Sequence, residues 1–240
     1  MNWNKLLTPE GLLDTAIGAV LVLLGIYKKE AQEGFKAFFA WCWTGLLGWL
    51  RRLVHRGAGQ EAALKEVEAM LTANMRGLTT LLLLIQKDYK PDRVSITEYE
   101  VCSDGSAHVT CVVEVREAEM QSVTDLQATP LPKPLWLEIS RIPYLPGRAL
   151  YVPDARTADS AAVQAALLAS GAWSAYYQVM PDPKGEYQKF TMLALSWQTQ
   201  HALTAADLHD LHNSGVTCAT VLLTRSQAQQ LKATLTGSAR

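Results

Sequence analysis

The sequence predicts an α+β protein in two parts, a membrane segment over residues 1–56 and a soluble domain over residues 57–240. Three observations lead to this fold class. Two long apolar runs lie in the first quarter of the chain, strand-like runs separated by turn residues fill the middle, and long helical patterns frame those strands. We therefore expect N-terminal transmembrane or amphipathic helices, followed by a domain with a central antiparallel sheet.

Composition excludes several classes of protein. The chain has 240 residues, of which 49% are hydrophobic and 19% charged, and its formal net charge is −1. Disordered chains carry more charge and fewer large apolar residues, and four cysteines are too few for a disulfide scaffold. Nucleic-acid binding needs a basic excess that this chain lacks, so we expect no nucleic-acid partner.

The first apolar run covers residues 11–27 and is long enough for a short transmembrane helix, which needs about 17–25 residues. Thr8 and Pro9 suit its start as cap and first helical residue. A cleaved signal peptide and a buried core helix are the alternative interpretations. One charged residue, which is either functional or a first-turn acid at the interface, and three small residues suited to self-association lie on this helix: Asp14, Thr15, Gly18 and Gly25.

The second apolar run covers residues 35–54, and two interpretations stay open for it: an interfacial amphipathic helix, or the second arm of a membrane hairpin. Small residues recur there at a spacing of four, as in closely packed membrane helices: Ala40, Thr44 and Gly48. A basic cluster that we expect to contact lipid headgroups follows: Arg51, Arg52 and Arg56. The positions of lysine and arginine favour a cytoplasmic soluble domain.

The soluble domain has the pattern of a helix, two strands, a region of short strands with a short helix, two further strands and a closing helix. The predicted ranges are 60–89, 93–101, 107–115, 136–139, 149–152, 160–170, 173–180 and 189–197, with the closing helix starting at Ala205 behind the cap Thr204. In the second strand we expect four residues on one face: Val109, Cys111, Val113 and Val115. The sheet should have five or six antiparallel strands, and the first and last helices should pack together on one of its faces.

The sequence contains no pattern that is typical of catalysis. It has neither a Gly-x-Ser-x-Gly nucleophile elbow nor a glycine-rich phosphate loop. His209 and His212 have a spacing that a metal site could use, but a polar helix face is the simpler interpretation. Cys102 and Cys111 flank the Asp104-Gly105 turn without facing each other in a two-residue hairpin. We therefore expect no enzyme, no metal site and no cofactor.

The last third of the domain resembles a GAF-type sensor domain. The resemblance depends on a strand-turn-strand pattern over residues 173–197 and on the polar link at 203–208 that opens the closing helix. It implies a sensor or effector that binds a small ligand or a partner protein, with a pocket walled by the sheet and residues 130–155. The candidate surface for that ligand or partner consists of five aromatic residues: Tyr151, Trp173, Tyr176, Tyr177 and Trp197.

The layout of the whole chain resembles the T holin of T-even phages, and the residue-level likeness lies near Tyr176-Tyr177, Trp197, Leu208 and Ala219. This resemblance implies a lysis protein that oligomerises in the bacterial inner membrane and opens it to release endolysin. It also implies a periplasmic domain that receives an antiholin-like regulator. The expected partners are thus membrane lipids, further copies of the chain and that regulator. Holin function is the leading hypothesis, a membrane-anchored GAF-like sensor is the alternative, and a membrane-tethered assembly protein without a ligand is a third.

Overall fold

The computed structural model describes residues 60–102, 104–120, 122–180 and 189–236. The predicted membrane segment, with its helices at 11–27 and 35–54, lies outside the described residues. So do the candidate oligomerisation and headgroup residues of that segment: Asp14, Thr15, Gly18, Gly25, Ala40, Thr44, Gly48, Arg51, Arg52 and Arg56. Over the described ranges, no helix combines the length and the apolar character that crossing a membrane requires.

The elements follow the predicted order with two exceptions, a short strand at Thr129–Pro130 that was not predicted and a helix in place of the strand predicted at 136–139. They are α1 (Gln60–Tyr89), β1 (Arg93–Val101), β2 (Ala107–Arg116), β3 (Thr129–Pro130), α2 (Lys133–Ile139), β4 (Ala149–Val152), α3 (Ala161–Ala169), β5 (Ser174–Val179), β6 (Lys189–Trp197) and α4 (Ala205–Leu235). Short 3₁₀ helices lie at Ile142–Tyr144, Pro146–Arg148 and Ala155–Thr157. Ser160 caps α3 and Thr204 caps α4, because each hydroxyl accepts a hydrogen bond from a first-turn amide.

The chain divides into two compact units, residues 1–77 with 220–240, and residues 78–219. In the described part of the first unit, Val67, Met70 and Ala228 form a small buried cluster. Lys232 Nζ and Glu68 Oε1 form an ion pair at 2.9 Å between the same two helix segments. These contacts hold the start of α1 against the end of α4 within this unit.

The second unit contains the sheet, whose six strands lie in the order β3-β2-β1-β6-β5-β4. Every neighbouring pair is antiparallel, which confirms the predicted architecture. The central pair, β1 and β6, joins strands that are distant in sequence, so this pairing cannot be read from a local turn. Since side chains alternate along a strand, the odd-numbered residues of β1 and the even-numbered residues of β6 share one face of the sheet.

The opposite face of the sheet is covered by the end of α1 and the start of α4. The indole Nε1 of Trp197 donates to the carbonyl oxygen of Tyr89 at 3.1 Å, and Gln178 Nε2 donates to the carbonyl oxygen of His212 at 3.1 Å. The buried side chains of this layer are mainly aliphatic: Leu78, Leu82, Ile85, Val94, Ile96, Leu193, Leu195 and Leu211. The expectation that the first and last helices share one face is confirmed.

A bulge in β2 corrects the predicted face of that strand. Thr97 lies opposite Cys111, but the preceding residue, Ile96, lies opposite Val113. The extra residue of β2 reverses its alternation, because two residues of one strand then oppose one of the other. Val109 and Cys111 therefore share a face with Thr97, whereas Val113 and Val115 lie on the face of Ile96. The prediction that all four residues share one face is wrong.

The predicted short strand at 136–139 is also wrong, because these residues form the end of helix α2. Pro132 stands at the N-cap and Pro134 in the first turn. Proline favours this position, since its fixed φ is helical and the first turn leaves its amide groups without helical partners. A run of four residues is too short to show whether its apolar side chains recur with the period of a helix or of a strand. Pro132 and Pro134 are the signal that favours the start of a helix here.

Gly215 of α4 is a position where a side chain does not fit. An added Cβ would lie 2.5 Å from Oε1 of Gln178. Gln178 cannot easily move away, because it is buried, accepts a hydrogen bond from the Tyr176 hydroxyl at 3.1 Å and bonds His212. We expect Gly215→Ala to lower the free energy of unfolding by about 1–3 kcal/mol, measured by urea denaturation.

The matched control is Gly77→Ala in α1, where no atom lies within 4 Å of the added Cβ. Alanine is a better helix former than glycine by about 1 kcal/mol, so this substitution should stabilise the protein. Opposite signs for the two substitutions are the expected result. A stabilising Gly215→Ala would show that Gln178 gives way without loss, and would contradict the prediction.

Candidate functional site

A cavity of about 190 Å³ lies on the face of the sheet that the long helices leave open. Its floor is made by side chains from five strands, with Arg93, Ser95, Thr97 and Tyr99 of β1 along the middle. Its roof is the segment that connects β2 to β4, including α2, and α3 closes one side. All of these residues belong to the unit at 78–219.

One end of the cavity is lined by the ring of Tyr99 and by aliphatic side chains, and Tyr99 continues into an aromatic cluster outside the lining. The rings of Tyr99 and Phe190 stack with centroids 5.2 Å apart, and Trp136 of α2 stacks on Phe190 at 6.0 Å. Aliphatic side chains from the roof complete this end: Leu126, Leu131, Leu135, Ile139 and Ile142. These contacts explain why α2 is a helix pressed onto the sheet, since its buried side presents Trp136 and Ile139 to the same cluster.

The other end of the cavity is polar. Arg93 lies directly opposite Ser196 in the pairing of β1 with β6, and its Nη2 donates to Ser196 Oγ at 3.2 Å. Ser95 follows on the same face of β1, and all three side chains line the cavity although all three residues are buried. The floor thus changes from cationic and hydroxylic to aromatic along β1.

Thr97 lies between these two ends and carries an unsatisfied polar atom. Its Oγ1 is buried and has no hydrogen-bond partner, and the residue lines the cavity opposite Met192. A buried hydroxyl without a partner costs about 1–3 kcal/mol, so such groups are rare in folded proteins. A bound molecule that forms a hydrogen bond with the Thr97 hydroxyl would therefore stabilise the protein.

The Arg93 guanidinium influences the pKa values of two groups near the cavity. Burial raises the pKa of the Tyr177 phenol, and the nearby guanidinium lowers it in part. Burial and the Glu114 carboxylate raise the pKa of the Cys111 thiol to about 11, again against an opposing effect of Arg93. Burial also raises the pKa of Tyr99. These phenols and this thiol are thus neutral near pH 7, whereas arginine stays charged.

The two carboxylates near the cavity are held by other groups. Glu138 lines the cavity from α2, and its Oε2 lies 3.3 Å from Nη1 of Arg141. Glu114 accepts hydrogen bonds from Ser122 Oγ at 2.8 Å and from the Val123 amide at 3.1 Å. The Glu114 carboxylate thus fixes the loop that brings Val123 to the wall of the cavity.

The five aromatic residues predicted as one surface lie in different places. Tyr177 lines the cavity. Tyr176 and Trp197 are buried on the opposite face, with the helices. The Tyr151 hydroxyl accepts from the Leu203 amide and donates to the His201 carbonyl, and Trp173 is 38% exposed beneath the Arg156 guanidinium. The structure therefore brings only Tyr177 of this set to the cavity.

The structure shows what surrounds His212 and the described cysteines. The His212 ring lies with Nδ1 3.0 Å from Gln178 Nε2, which ties α4 to β5. Within the described ranges, Cys102, Cys111 and Cys218 are free thiols, and no three metal-ligating side chains come together. The polar floor could not be predicted from the sequence, because polar residues at alternate positions of β1 are typical of a solvent-exposed face.

Comparison with known proteins identifies the fold. The structure is similar to the GAF domain of PixJ from Thermosynechococcus elongatus in its blue-light-absorbing form, with a TM-score of 0.50 at 12% identity, covering 72% of this chain and 97% of that one. The described domain has a GAF-like fold. No family model and no curated protein matches the sequence.

Two further solved structures are similar to this chain with slightly lower TM-scores. The phycocyanobilin-bound GAF domain of a cyanobacterial phytochrome has a TM-score of 0.49 at 16% identity and covers 71% of this chain and 97% of its own. The GAF domain region of a Geobacter sulfurreducens PCA protein has a TM-score of 0.49 at 16% identity, with coverages of 66% and 98%.

The resemblance to T holins is wrong. The structure is similar to the PixJ GAF domain, and no holin family model matches. The holin resemblance depended on the layout of the whole chain, and the residues that carried its residue-level likeness lie in β5, β6 and α4 of the GAF-like domain. The hypotheses of holin function and host-cell lysis are therefore wrong, whereas the predicted helix at 11–27 lies outside the described residues.

Proposed function

We propose that the GAF-like domain is a ligand-binding sensor module and that the cavity above the sheet is its ligand site. The observation that carries this proposal is the buried Thr97 hydroxyl, which faces the cavity without a hydrogen-bond partner. Protein interiors are close-packed and satisfy their polar groups, so an open volume beside an unsatisfied hydroxyl costs stability. A molecule that fills the volume and bonds the hydroxyl would remove both costs.

The size of the cavity restricts the ligand. A cavity of about 150 Å³ in an engineered protein is known to bind benzene, and the cavity described here measures about 190 Å³. It therefore suits a six-membered ring with a few additional atoms. The phytochrome GAF domain described above is phycocyanobilin-bound. We do not extend a bilin to this chain.

A sensor also needs a route from its ligand to the rest of the protein, and β6 offers one. Met192 and Ala194 line the cavity, whereas the intervening Leu193 and the following Leu195 are buried on the face that carries the helices. A ligand that displaces one face of this strand displaces the other, because both belong to the same backbone. The proposed function is ligand binding. Self-association and contact with lipids stay predictions.

The proposal is tested with two neutral probes, toluene and benzamide, added to the full chain and followed by thermal unfolding and calorimetry. We expect at least one of them to raise the melting temperature and to bind in the millimolar range or better, since ligands of the native state stabilise it by mass action. If neither probe binds, the cavity is not a ligand site.

A matched pair of variants locates the binding. Ala166 of α3 lines the cavity, while the adjacent Ala165 is exposed. We expect Ala166→Phe to place its ring in the cavity and to abolish the thermal shift with both probes. Ala165→Phe adds the same ring to solvent and should keep the shift. Loss of binding in both variants, or in neither, would place the probes elsewhere.

A further inference from the structure

We propose that Cys102 is a reactive thiol that forms a mixed disulfide with small cationic disulfides, and that the His108 imidazole is the base that takes the thiol proton. The two side chains meet at the hairpin between β1 and β2, where Cys102 Sγ lies 3.3 Å from His108 Nδ1. Neither residue belongs to the lining of the cavity, so this inference goes beyond the proposed sensor function and does not depend on it.

The backbone of the hairpin holds the thiol and the imidazole together. The Cys102 amide donates to the Ser106 carbonyl at 2.8 Å, and the Gly105 amide donates to the Cys102 carbonyl at 2.9 Å. His108 lies opposite Glu100, and Cys102 follows Glu100 by two residues. Cys102 and His108 are therefore diagonal neighbours across the two chains of the hairpin, a position from which side chains reach each other.

The other two described cysteines have surroundings that disfavour the thiolate. Burial and the Glu114 carboxylate raise the pKa of the Cys111 thiol to about 11, and burial raises that of Cys218 to about 12. Cys102 is partly exposed, and its sulfur has an imidazole nitrogen within hydrogen-bond distance. Because the thiolate is the nucleophile in exchange with a disulfide, we expect Cys102 to react fastest of the three.

The reaction is a thiol–disulfide exchange that His108 assists. With the ring proton on Nε2, Nδ1 accepts the hydrogen of the Cys102 thiol and takes the proton as the sulfur attacks. A bond forms between Cys102 Sγ and one sulfur of the reagent, and the S–S bond of the reagent breaks. The other half leaves as a thiolate, which receives the proton from the imidazolium. Cys102 is thereby oxidised, one half of the reagent is reduced to a thiol, and an added thiol reverses the step.

The charges beside the pair select the disulfide. The charged side chains on the strands and the turn next to the pair include Glu98, Glu100, Asp104 and Lys189. Lys189 Nζ pairs with Glu98 Oε2 at 3.1 Å, which leaves Glu100 opposite His108. Hydrogen bonds from the Ser106 hydroxyl and amide lower the pKa of the Asp104 carboxyl, so it is ionised at pH 7. Two carboxylates therefore attract a cationic disulfide and repel an anionic one.

The first experiment treats the full chain with cystamine, a disulfide that carries two ammonium groups, at pH 7 and low salt. Fragmentation mass spectrometry assigns the added group to individual cysteines, and Cys42, which lies outside the described residues, is counted separately. We expect Cys102 to react about tenfold or more faster than Cys111, Cys218 to stay unmodified, and dithiothreitol to remove the added group. Equal rates at Cys102 and Cys111 would overturn the proposal.

A matched pair of variants tests the base. Glutamine cannot take the thiol proton, so in His108→Gln the rate at Cys102 should fall by about tenfold. His209→Gln replaces an exposed histidine of α4 and should leave the rate unchanged. Cys218 reports the fold in both variants, because its thiol is fully buried and reacts only when the domain opens. An unchanged rate in His108→Gln with Cys218 still protected would overturn the role of His108. If His108→Gln opens the domain, the comparison of Cys102 with Cys111 in the unchanged chain still decides the proposal.

The charge preference is tested with dithiodipropionate, an anionic disulfide of similar length. The ratio of the cystamine rate to the dithiodipropionate rate at Cys102 should fall by about twofold or more in Glu100→Gln. Intrinsic differences between the reagents cancel, since the same two reagents are compared in each variant. Glu119→Gln removes an exposed carboxylate beyond the other end of β2 and should keep the ratio. A ratio that Glu100→Gln leaves unchanged would overturn the cationic class, whereas failure of toluene and benzamide to bind would concern the cavity alone.

Discussion

Replacing Trp197 by alanine is expected to lower the free energy of unfolding by about 3–5 kcal/mol, the largest effect of a single truncation in this domain. Trp197 is 2% exposed and is the last residue of β6, a central strand. Its indole N–H donates to the Tyr89 carbonyl, and its ring stacks on His201 with centroids 4.6 Å apart. The substitution thus removes a large buried ring, a hydrogen bond to α1 and a contact with the segment that leads into α4.

Two further substitutions separate these contributions in urea unfolding of the full chain. Trp197→Phe keeps most of the apolar contact but leaves the Tyr89 carbonyl without its donor, so a loss of about 1–3 kcal/mol is expected. Trp173→Ala removes a ring that is 38% exposed and covered by Arg156, and should cost about 1 kcal/mol or less. If Trp173→Ala were as costly as Trp197→Ala, burial would not determine the effect.

The elements that sequence reasoning placed correctly are those with strong local signals. Ser160 and Thr204 are caps whose side chains bond the first turns of α3 and α4, and both helices begin directly after them. The Asp104-Gly105 pair predicted the turn between β1 and β2, and Gly105 has a φ of 78°. Such signals act over a few residues, so a single sequence contains them completely.

The elements that were missed depend on contacts between distant residues. The bulge opposite Ile96 and Thr97 changes the face of half of β2, and no residue type in β2 marks it. The polar floor depends on β1 lying beside β6, which brings Arg93 to Ser196 across more than one hundred residues. Alternating polar residues are typical of a solvent-exposed face, and only the roof over β1 turns that face into the floor of a cavity.

The mistaken holin resemblance has a related cause. It depended on the layout of the whole chain and on a residue-level likeness near Tyr176-Tyr177, Trp197, Leu208 and Ala219, a region that specifies a local fold and no function. Tyr176 and Tyr177 are adjacent aromatic residues, and the sequence does not distinguish their roles. Because side chains alternate along β5, Tyr177 lines the cavity and Tyr176 lies on the face that the helices cover. A functional site needs the side chains to converge, and convergence is a property of the assembled sheet.

Ser174→Ala is expected to lower the free energy of unfolding by about 2–4 kcal/mol, although it removes a single oxygen atom. Ser174 is fully buried at the start of β5. Its Oγ accepts from the His201 amide at 2.8 Å and lies 2.9 Å from the Pro153 carbonyl and 2.8 Å from the Thr199 carbonyl, to either of which it can donate. Alanine leaves a buried donor and an acceptor without partners, and each costs about 1–3 kcal/mol.

The control for this substitution is Ser214→Ala in α4. Its hydroxyl donates only to the Asp210 carbonyl of the same helix, a bond that adds little because that carbonyl already belongs to the helical ladder. Alanine is also the better helix former, so Ser214→Ala should be neutral or slightly stabilising. Equal effects of the two substitutions would mean that water or a neighbouring group replaces the Ser174 hydroxyl. A large loss for Ser174→Ala alone would show that this hydroxyl joins the segments at 153 and at 199–201 to the start of β5.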